Sequence, residues 1–241
     1  MNYTVELDAT PGHDQAEESL VVRHGDGTTD RFRLHEYSRV YAIPGLYEEV
    51  VQRRLQCASP STLAQLLVAW AGEAGLGPAE LAVLDLGAGN GVVGEELRAL
   101  GVGTLVGSDN LGAARDAARR DRPGLYAEYL VGDIDDLQDL PGLIRAHGLN
   151  AVVAAGALGP GHISVDSFHR LWSSFGEPAW VAVSVHEGLV GRGASDFGDY
   201  LVEFARRSDW GEIVLKQRFL HRLTMAGEPI HYIAIVARKG R

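Results

Sequence analysis

From residue 81 onward, short apolar runs alternate with stretches whose apolar residues recur at helical spacing. The runs 81–86, 104–107, 126–131, 151–154 and 180–185 read as strands. The segments near 92–100, 111–121, 136–147, 165–175 and 196–208 read as amphipathic helices between them. This alternation predicts a parallel sheet with helices on both faces. Two further apolar runs, 212–218 and 231–236, are separated by a turn-rich segment around Ala226-Gly227-Glu228-Pro229. That gap is too short for a crossover helix, so the last two strands should pair antiparallel.

The N-terminal stretch has a different rhythm. Leu20-Val21-Val22-Arg23 and Arg31-Phe32-Arg33-Leu34 flank Gly25-Asp26-Gly27-Thr28, a hairpin pattern in which glycine supplies the turn's positive φ. Tyr37 and Tyr41 follow, then the Pro44-Gly45 punctuation, with a helix expected after it. Ser59, Pro60 and Ser61 open another helix from 62 to about 74, with Leu63, Leu66, Leu67 and Trp70 on one face. The organisation expected is a hairpin and helical cap over 1–75 and an α/β core over 76–241.

The chain has 241 residues, 46% hydrophobic and 22% charged, which suits one folded α/β unit with a small addition. A formal net charge of −10 disfavours nucleic-acid binding, and Arg53-Arg54, Arg119-Arg120 and Arg206-Arg207 read as solvated helix faces. The single cysteine, Cys57, cannot form an internal disulfide and reads as a small apolar residue. No basic leader with an apolar run opens the chain, and no stretch approaches the roughly 18 apolar residues of a membrane span. A cytoplasmic protein is expected, and the sequence leaves room for a homodimer.

The chemistry concentrates where the first core strand ends, in Leu84-Asp85-Leu86-Gly87-Ala88-Gly89-Asn90-Gly91. Glycines permit a sharp turn and close approach to a ligand, and the next helix presents its N–H groups to that ligand. Two cofactor classes use such a loop. Gly89-Asn90-Gly91-Val92-Val93-Gly94 fits the dinucleotide fingerprint, with Asp109 about 20 residues beyond, as that fingerprint asks. Asp85 points elsewhere: a carboxylate just before the glycines repels a pyrophosphate and attracts a cation.

An acidic residue followed by G-x-G-x-G resembles motif I of the class I S-adenosylmethionine (SAM)-dependent methyltransferases, with Asp85, Gly87, Ala88, Gly89 and Gly91 in the motif. The resemblance covers about residues 40–240. It implies a seven-stranded Rossmann-like sheet with an antiparallel last strand, and SAM as cofactor. It implies that Asp109, beside Asn110, accepts the ribose hydroxyls; a helix cap is the alternative for that carboxylate. It implies that Asp133 and the N–H of Ile134 meet the adenine, with a cap again the alternative. Ala154-Ala155-Gly156-Ala157-Leu158-Gly159 is similar to motif IV, where Ala155 would face the cofactor. It departs from the N-P-P-Y and D-P-P-Y types that methylate nucleic-acid amino groups. More loosely, 41–47, 219–222 and 227–229 resemble a group of small bacterial methyltransferases.

Acceptor chemistry belongs at the carboxyl ends of the strands. His162, after the fourth core strand, and His186, after the fifth, are the catalytic candidates; surface or packing roles are their alternatives. Tyr37, Tyr41, His221 and His231 are secondary candidates. His186-Glu187 does not complete H-E-x-x-H, because position 190 is Val190, and no metal is expected. The function expected is SAM-dependent methyl transfer to a small molecule at oxygen or nitrogen. The alternatives are an NAD(P)-linked oxidoreductase, or a protein that binds SAM as a scaffold without methylating.

Overall fold

The run Ala82–Leu86 is buried at every position, as a strand covered on both faces must be. Its side chains alternate between two cores, Leu84 and Leu86 into one and Val83 into the other. In the computed structural model, which describes residues 2–12, 15–137, 139–159 and 161–240, this strand is β4 of a seven-stranded sheet. From edge to edge the sheet runs β6 (Glu128–Val131), β5 (Thr104–Asp109), β4, β7 (Ala151–Ala155), β8 (Ala179–His186), β10 (Pro229–Lys239) and β9 (Glu212–Leu223). The pairs from β6 to β8 are parallel, and β10 runs antiparallel to both β8 and β9. The α/β class and the reversed last strand agree with the expectation. Glycine turns at the ends of β4 and β7 leave the strand ends open toward one edge of the sheet.

One face carries α2 (Ser59–Glu73) and α3 (Val92–Ala99), through Leu63, Leu67 and Leu97. The other carries α5 (Leu140–His147), α6 (Val165–Ser174) and α7 (Asp196–Phe204), through Ile144, Phe168, Leu171 and Phe204. Each such side chain contributes roughly 1.5–3 kcal/mol on full burial. Helix α5 begins four residues later than the periodicity predicts. Pro141 fits only a first turn, and Asp139 caps it by accepting from Gly142 N at 2.7 Å.

The N-terminal region has its own core of Leu20, Val22, Phe32, Val40, Leu46 and Val50. The expected hairpin is β2 (Ser19–His24) and β3 (Thr29–Arg33), but β1 (Tyr3–Leu7) adds a third antiparallel strand. A short helix α1 (Tyr37–Ala42) precedes the Pro-Gly turn. The helix after it, Glu48–Arg54, is wide, closed by bonds such as Leu55 N to Val50 O at 2.9 Å. Helix α2 packs on the sheet with α3, outside the cap's own core. The cap is tied to the tip of the β9–β10 hairpin: Leu223 N donates to Leu55 O at 2.7 Å and Ala58 N to His221 O at 2.8 Å. Among the described residues, no helix is long and apolar enough to cross a membrane.

Candidate functional site

The loop after β4 turns on glycines that no other residue replaces easily. Gly87 and Gly89 have φ of +74° and +55°. A Cβ on Gly87 would lie 2.5 Å from Ala157 Cβ, and one on Gly89 would collide with the Tyr41 hydroxyl. The loop is held from below. Gly87 N and Ala88 N donate to Ser108 O at 2.8 and 2.9 Å, and Gly89 N donates to Asp109 Oδ2 at 3.0 Å. Tyr129 Oη donates to Gly89 O at 2.6 Å. Gly91 N donates to Ala88 O at 2.9 Å. These N–H groups are therefore engaged within the protein, leaving few to cradle a pyrophosphate.

Above the carboxyl ends of β4 to β7 lies a cavity of about 370 Å³. Gly87, Asp109, Asn110, Asp133, Ile134 and Ala155 all line it, which brings together six sequence-predicted positions from four different strand ends. Asp109 accepts from Leu111 N at 2.9 Å through its other oxygen, a turn bond two residues ahead and not a cap of the helix that starts at Gly112, and the same carboxylate faces the cavity. Burial raises its pKa, against the lowering effect of the Leu111 and Gly89 N–H groups. Asp133 accepts from Asp135 N at 3.0 Å, and buried Ile134 beside it gives the cavity an apolar wall. Tyr37, Tyr41 and Tyr47 of the cap form the roof, with Tyr37 stacked on Tyr41 at 5.8 Å and Tyr41 against Tyr47 at 5.3 Å. The cap is latched to the loop by Glu48, whose Oε1 accepts from Asn90 Nδ2 at 2.6 Å and Arg122 Nη1 at 2.8 Å.

Three sequence-predicted residues stand elsewhere. Asp85 lies beneath the loop, fully buried and off the cavity wall, where Tyr126 Oη donates to its Oδ2 at 2.5 Å. Burial pushes its pKa up to about 7, against the lowering effect of the Tyr126 hydroxyl, and its Oδ1 has no partner among the described residues. It supports the loop from behind. Gly91, at +95°, caps α3 and faces Leu125 and Arg122. His186 is not on the wall of this cavity. It remains in register with Tyr232 at the end of β8, and the 187–189 turn folds back so that Gly188 N donates to its Nδ1 at 3.1 Å.

A second, smaller chamber of about 90 Å³ adjoins the first, sharing Gly87, Ala155, Gly156, His162 and the three roof tyrosines. Ala88 and Gly89 line this one. His162 borders both, and burial lowers its pKa. On the far wall, Ser59 Oγ lies 2.6 Å from His221 Nδ1, and the His221 ring stacks on Tyr232 at 3.9 Å. Beside them, buried Arg222 donates to both carboxylate oxygens of Glu18, at 2.6 and 3.2 Å. Burial pushes His221 down to about 3, with the Arg222 charge acting in the same direction. Ser59, Tyr232 and the Glu18–Arg222 pair carry no signal in the sequence, because each acquires its role from a partner far along the chain.

No protein-family model and no curated protein sequence matches the chain. Solved structures do match. The magnesium protoporphyrin IX methyltransferase of Synechocystis PCC 6803, with bound SAM, superposes with a TM-score of 0.54 at 14% identity, covering 86% of this chain and 91% of that one. A SAM-dependent methyltransferase from Anabaena variabilis gives 0.51 at 14% identity, with 86% and 96% covered. A protein solved in a study of disulfide-to-thioacetal conversion in echinomycin biosynthesis gives 0.50 at 20%, with 71% and 80% covered. With its strand order, its reversed β10 and its glycine loop at the end of β4, the chain has the fold of the class I SAM-dependent methyltransferases.

Proposed function

We propose that the protein is a SAM-dependent methyltransferase acting on a small molecule. The observation that carries this reading is the outer cavity, where Gly87, Asp109, Asp133 with Ile134, and Ala155 meet from four successive parallel strand ends. The donor set suits the cofactor. Each Asp109 oxygen accepts one backbone N–H and keeps a lone pair for a ribose hydroxyl. Asp133 has Oδ2 for an exocyclic amino group, and Ile134 offers an apolar face to a purine. Neighbouring magnesium protoporphyrin IX methyltransferase structures hold SAM and S-adenosylhomocysteine (SAH).

When bound, SAM supplies an electrophilic methyl carbon on a cationic sulfur. A hydroxyl or amine acceptor would give up a proton as it is methylated. His162 is placed to take it, since its imidazole borders both chambers, is kept neutral by burial, and has no hydrogen-bond partner among the described residues. The tyrosine roof covers the meeting point of the chambers, and Glu48 latches the cap that carries it to the loop. The engaged N–H groups of the loop argue against the dinucleotide alternative. The roof and the net charge of −10 favour a small acceptor over a nucleic acid. Titration calorimetry with SAH and with NAD tests the reading. Binding of SAH in the micromolar range without NAD binding is expected, and NAD binding without SAH binding would overturn it.

A further inference from the structure

We propose that the inner chamber is the acceptor subsite, built for an uncharged aromatic single ring whose hydroxyl oxygen is held by the Nε2–H of His221. The proposal rests on the cofactor reading above only for what fills the outer cavity.

Shape is the first argument. Aromatic rings line the chamber: the His221–Tyr232 stack (3.9 Å, 22° between planes) and Tyr37, Tyr41 and Tyr47. Aromatic walls favour a planar guest that can stack on them or meet them edge to face. At about 90 Å³ the closed chamber is smaller than the roughly 150 Å³ that admits benzene in an engineered apolar cavity. A single ring enters with a modest shift of the roof tyrosines, and a fused bicycle does not.

Charge is the second. The one guanidinium on the wall, Arg222, is taken up by both Glu18 oxygens and by Leu223 O at 2.8 Å. Burial favours the uncharged form of His35, His162 and His221 alike. An anionic acceptor would therefore find no free counter-charge on the chamber wall. A cationic one would meet no free carboxylate, since Glu18 is already paired.

The third argument is the proton on His221. The Ser59 hydroxyl is buried, and its one hydrogen-bond partner among the described residues is His221 Nδ1, so it donates there. The neutral ring then carries its proton on Nε2. The edge of the ring between its two nitrogens faces Gly156, which borders both chambers. A donor fixed in that position suits a hydroxyl oxygen lone pair. His35 Nδ1, on the same chamber, is buried with no partner in the protein among the described residues, a second polar atom awaiting a ligand group.

The test uses the full chain with and without saturating SAH. Phenol and catechol are titrated against benzoate, benzylamine and 2-naphthol by NMR and calorimetry. Phenol and catechol should bind the SAH complex, with the other three about tenfold weaker or more, as unpaired buried charge or lack of room dictates. His221→Phe keeps a ring on Tyr232 but removes the donor. It should weaken phenol by about tenfold while SAH affinity stays within about twofold. Ser59 is a positioning residue, and Ser59→Ala serves if the first variant does not fold. It should move the ¹⁵N signature of His221 away from the pure Nε2–H tautomer and weaken phenol, with Ser59→Thr restoring both. Benzoate bound as tightly as phenol, or phenol binding indifferent to both variants, overturns the proposal. SAH binding without phenol binding overturns it and leaves the cofactor reading intact. His221-dependent phenol binding without SAH binding upholds the chamber and overturns the cofactor reading.

Discussion

The two chambers meet at the same glycine loop but are built differently. The outer one is made where four strands end, each delivering consecutive residues: Gly87 after β4, Asp109 and Asn110 at β5, Asp133 and Ile134 after β6, Ala155 at the end of β7. Its shape follows from the backbone course of a parallel sheet, so it needs only glycine where the chain turns and an acid where a strand stops. The inner one is assembled from side chains at positions 15 to 232, brought together by the cap and the β9–β10 hairpin. A site drawn by backbone tolerates sequence drift around a few fixed positions. A site drawn by distant side chains depends on the docking that brings them together.

The strongest way to break that difference is to undock the cap. Glu18→Ala leaves the buried Arg222 guanidinium unpaired and removes the acceptor for Met225 N at 2.8 Å. The expected cost is about 3–5 kcal/mol in urea unfolding, the usual penalty for breaking a buried pair from one side. The inner chamber should be lost with it, while replacing both partners with apolar residues of similar volume should recover much of the stability. A single-variant loss below about 1 kcal/mol would mean that the cap docks without this pair.

The next largest effect separates the loop's support from its cavity face. Asp85 has a folded-state pKa of about 7 against 3.8 for the unperturbed group. The folded state thus holds this proton more tightly than the unfolded chain. Its contribution is fully present below about pH 4 and is lost as pH rises through 7, a swing of roughly 4 kcal/mol at 1.36 kcal/mol per unit. Asp85→Asn should remove that swing, so the stability difference between the two proteins should grow in the variant's favour from pH 4 to 8. A constant difference across that window would show that Asp85 titrates normally.

Those two residues also show what the sequence can reveal. The strand–helix alternation, the reversed hairpin and the positions of Gly87, Asp109, Asp133 and Ala155 are legible because each depends on local pattern and strand order. Tyr3–Leu7 alternates like a strand, yet five residues do not reveal where the strand pairs. That Asp85 sits behind the loop is not legible, because a buried and a cavity-facing carboxylate at a strand end have the same local sequence. The Glu18–Arg222 pair joins residues 204 positions apart, and nothing near either announces the other.

Asp109→Ala probes the outer chamber on its own terms. It removes the acceptor for Gly89 N and Leu111 N as well as the carboxylate facing the cavity. SAH affinity should fall by roughly 1–3 kcal/mol, since charge-assisted bonds are lost and the loop loosens. Phenol binding at the inner chamber should change less. If the melting temperature drops while SAH affinity is unchanged, Asp109 serves only to hold the loop backbone.

The smallest effect is expected at His186, and it sharpens the comparison most. A histidine just past a parallel strand would ordinarily be delivered to the rim of the site. Here β8 stays paired through residue 186, and the following turn directs the ring to Gly188 N and the edge of Tyr232 at 5.5 Å, on neither chamber wall. Its remaining influence runs through the Tyr232 ring that His221 stacks upon and through its charge, which lowers the His221 pKa. His186→Ala should therefore cost about 0.5 kcal/mol or less in stability and leave SAH affinity and single-turnover methylation within about twofold, as for surface changes away from special features. His162→Ala, measured beside it, should lower turnover by about 10²-fold if His162 takes the acceptor proton. The reverse result, with His186 essential and His162 dispensable, would place the acceptor on the β8 side of the sheet and remove the inner chamber from the reaction.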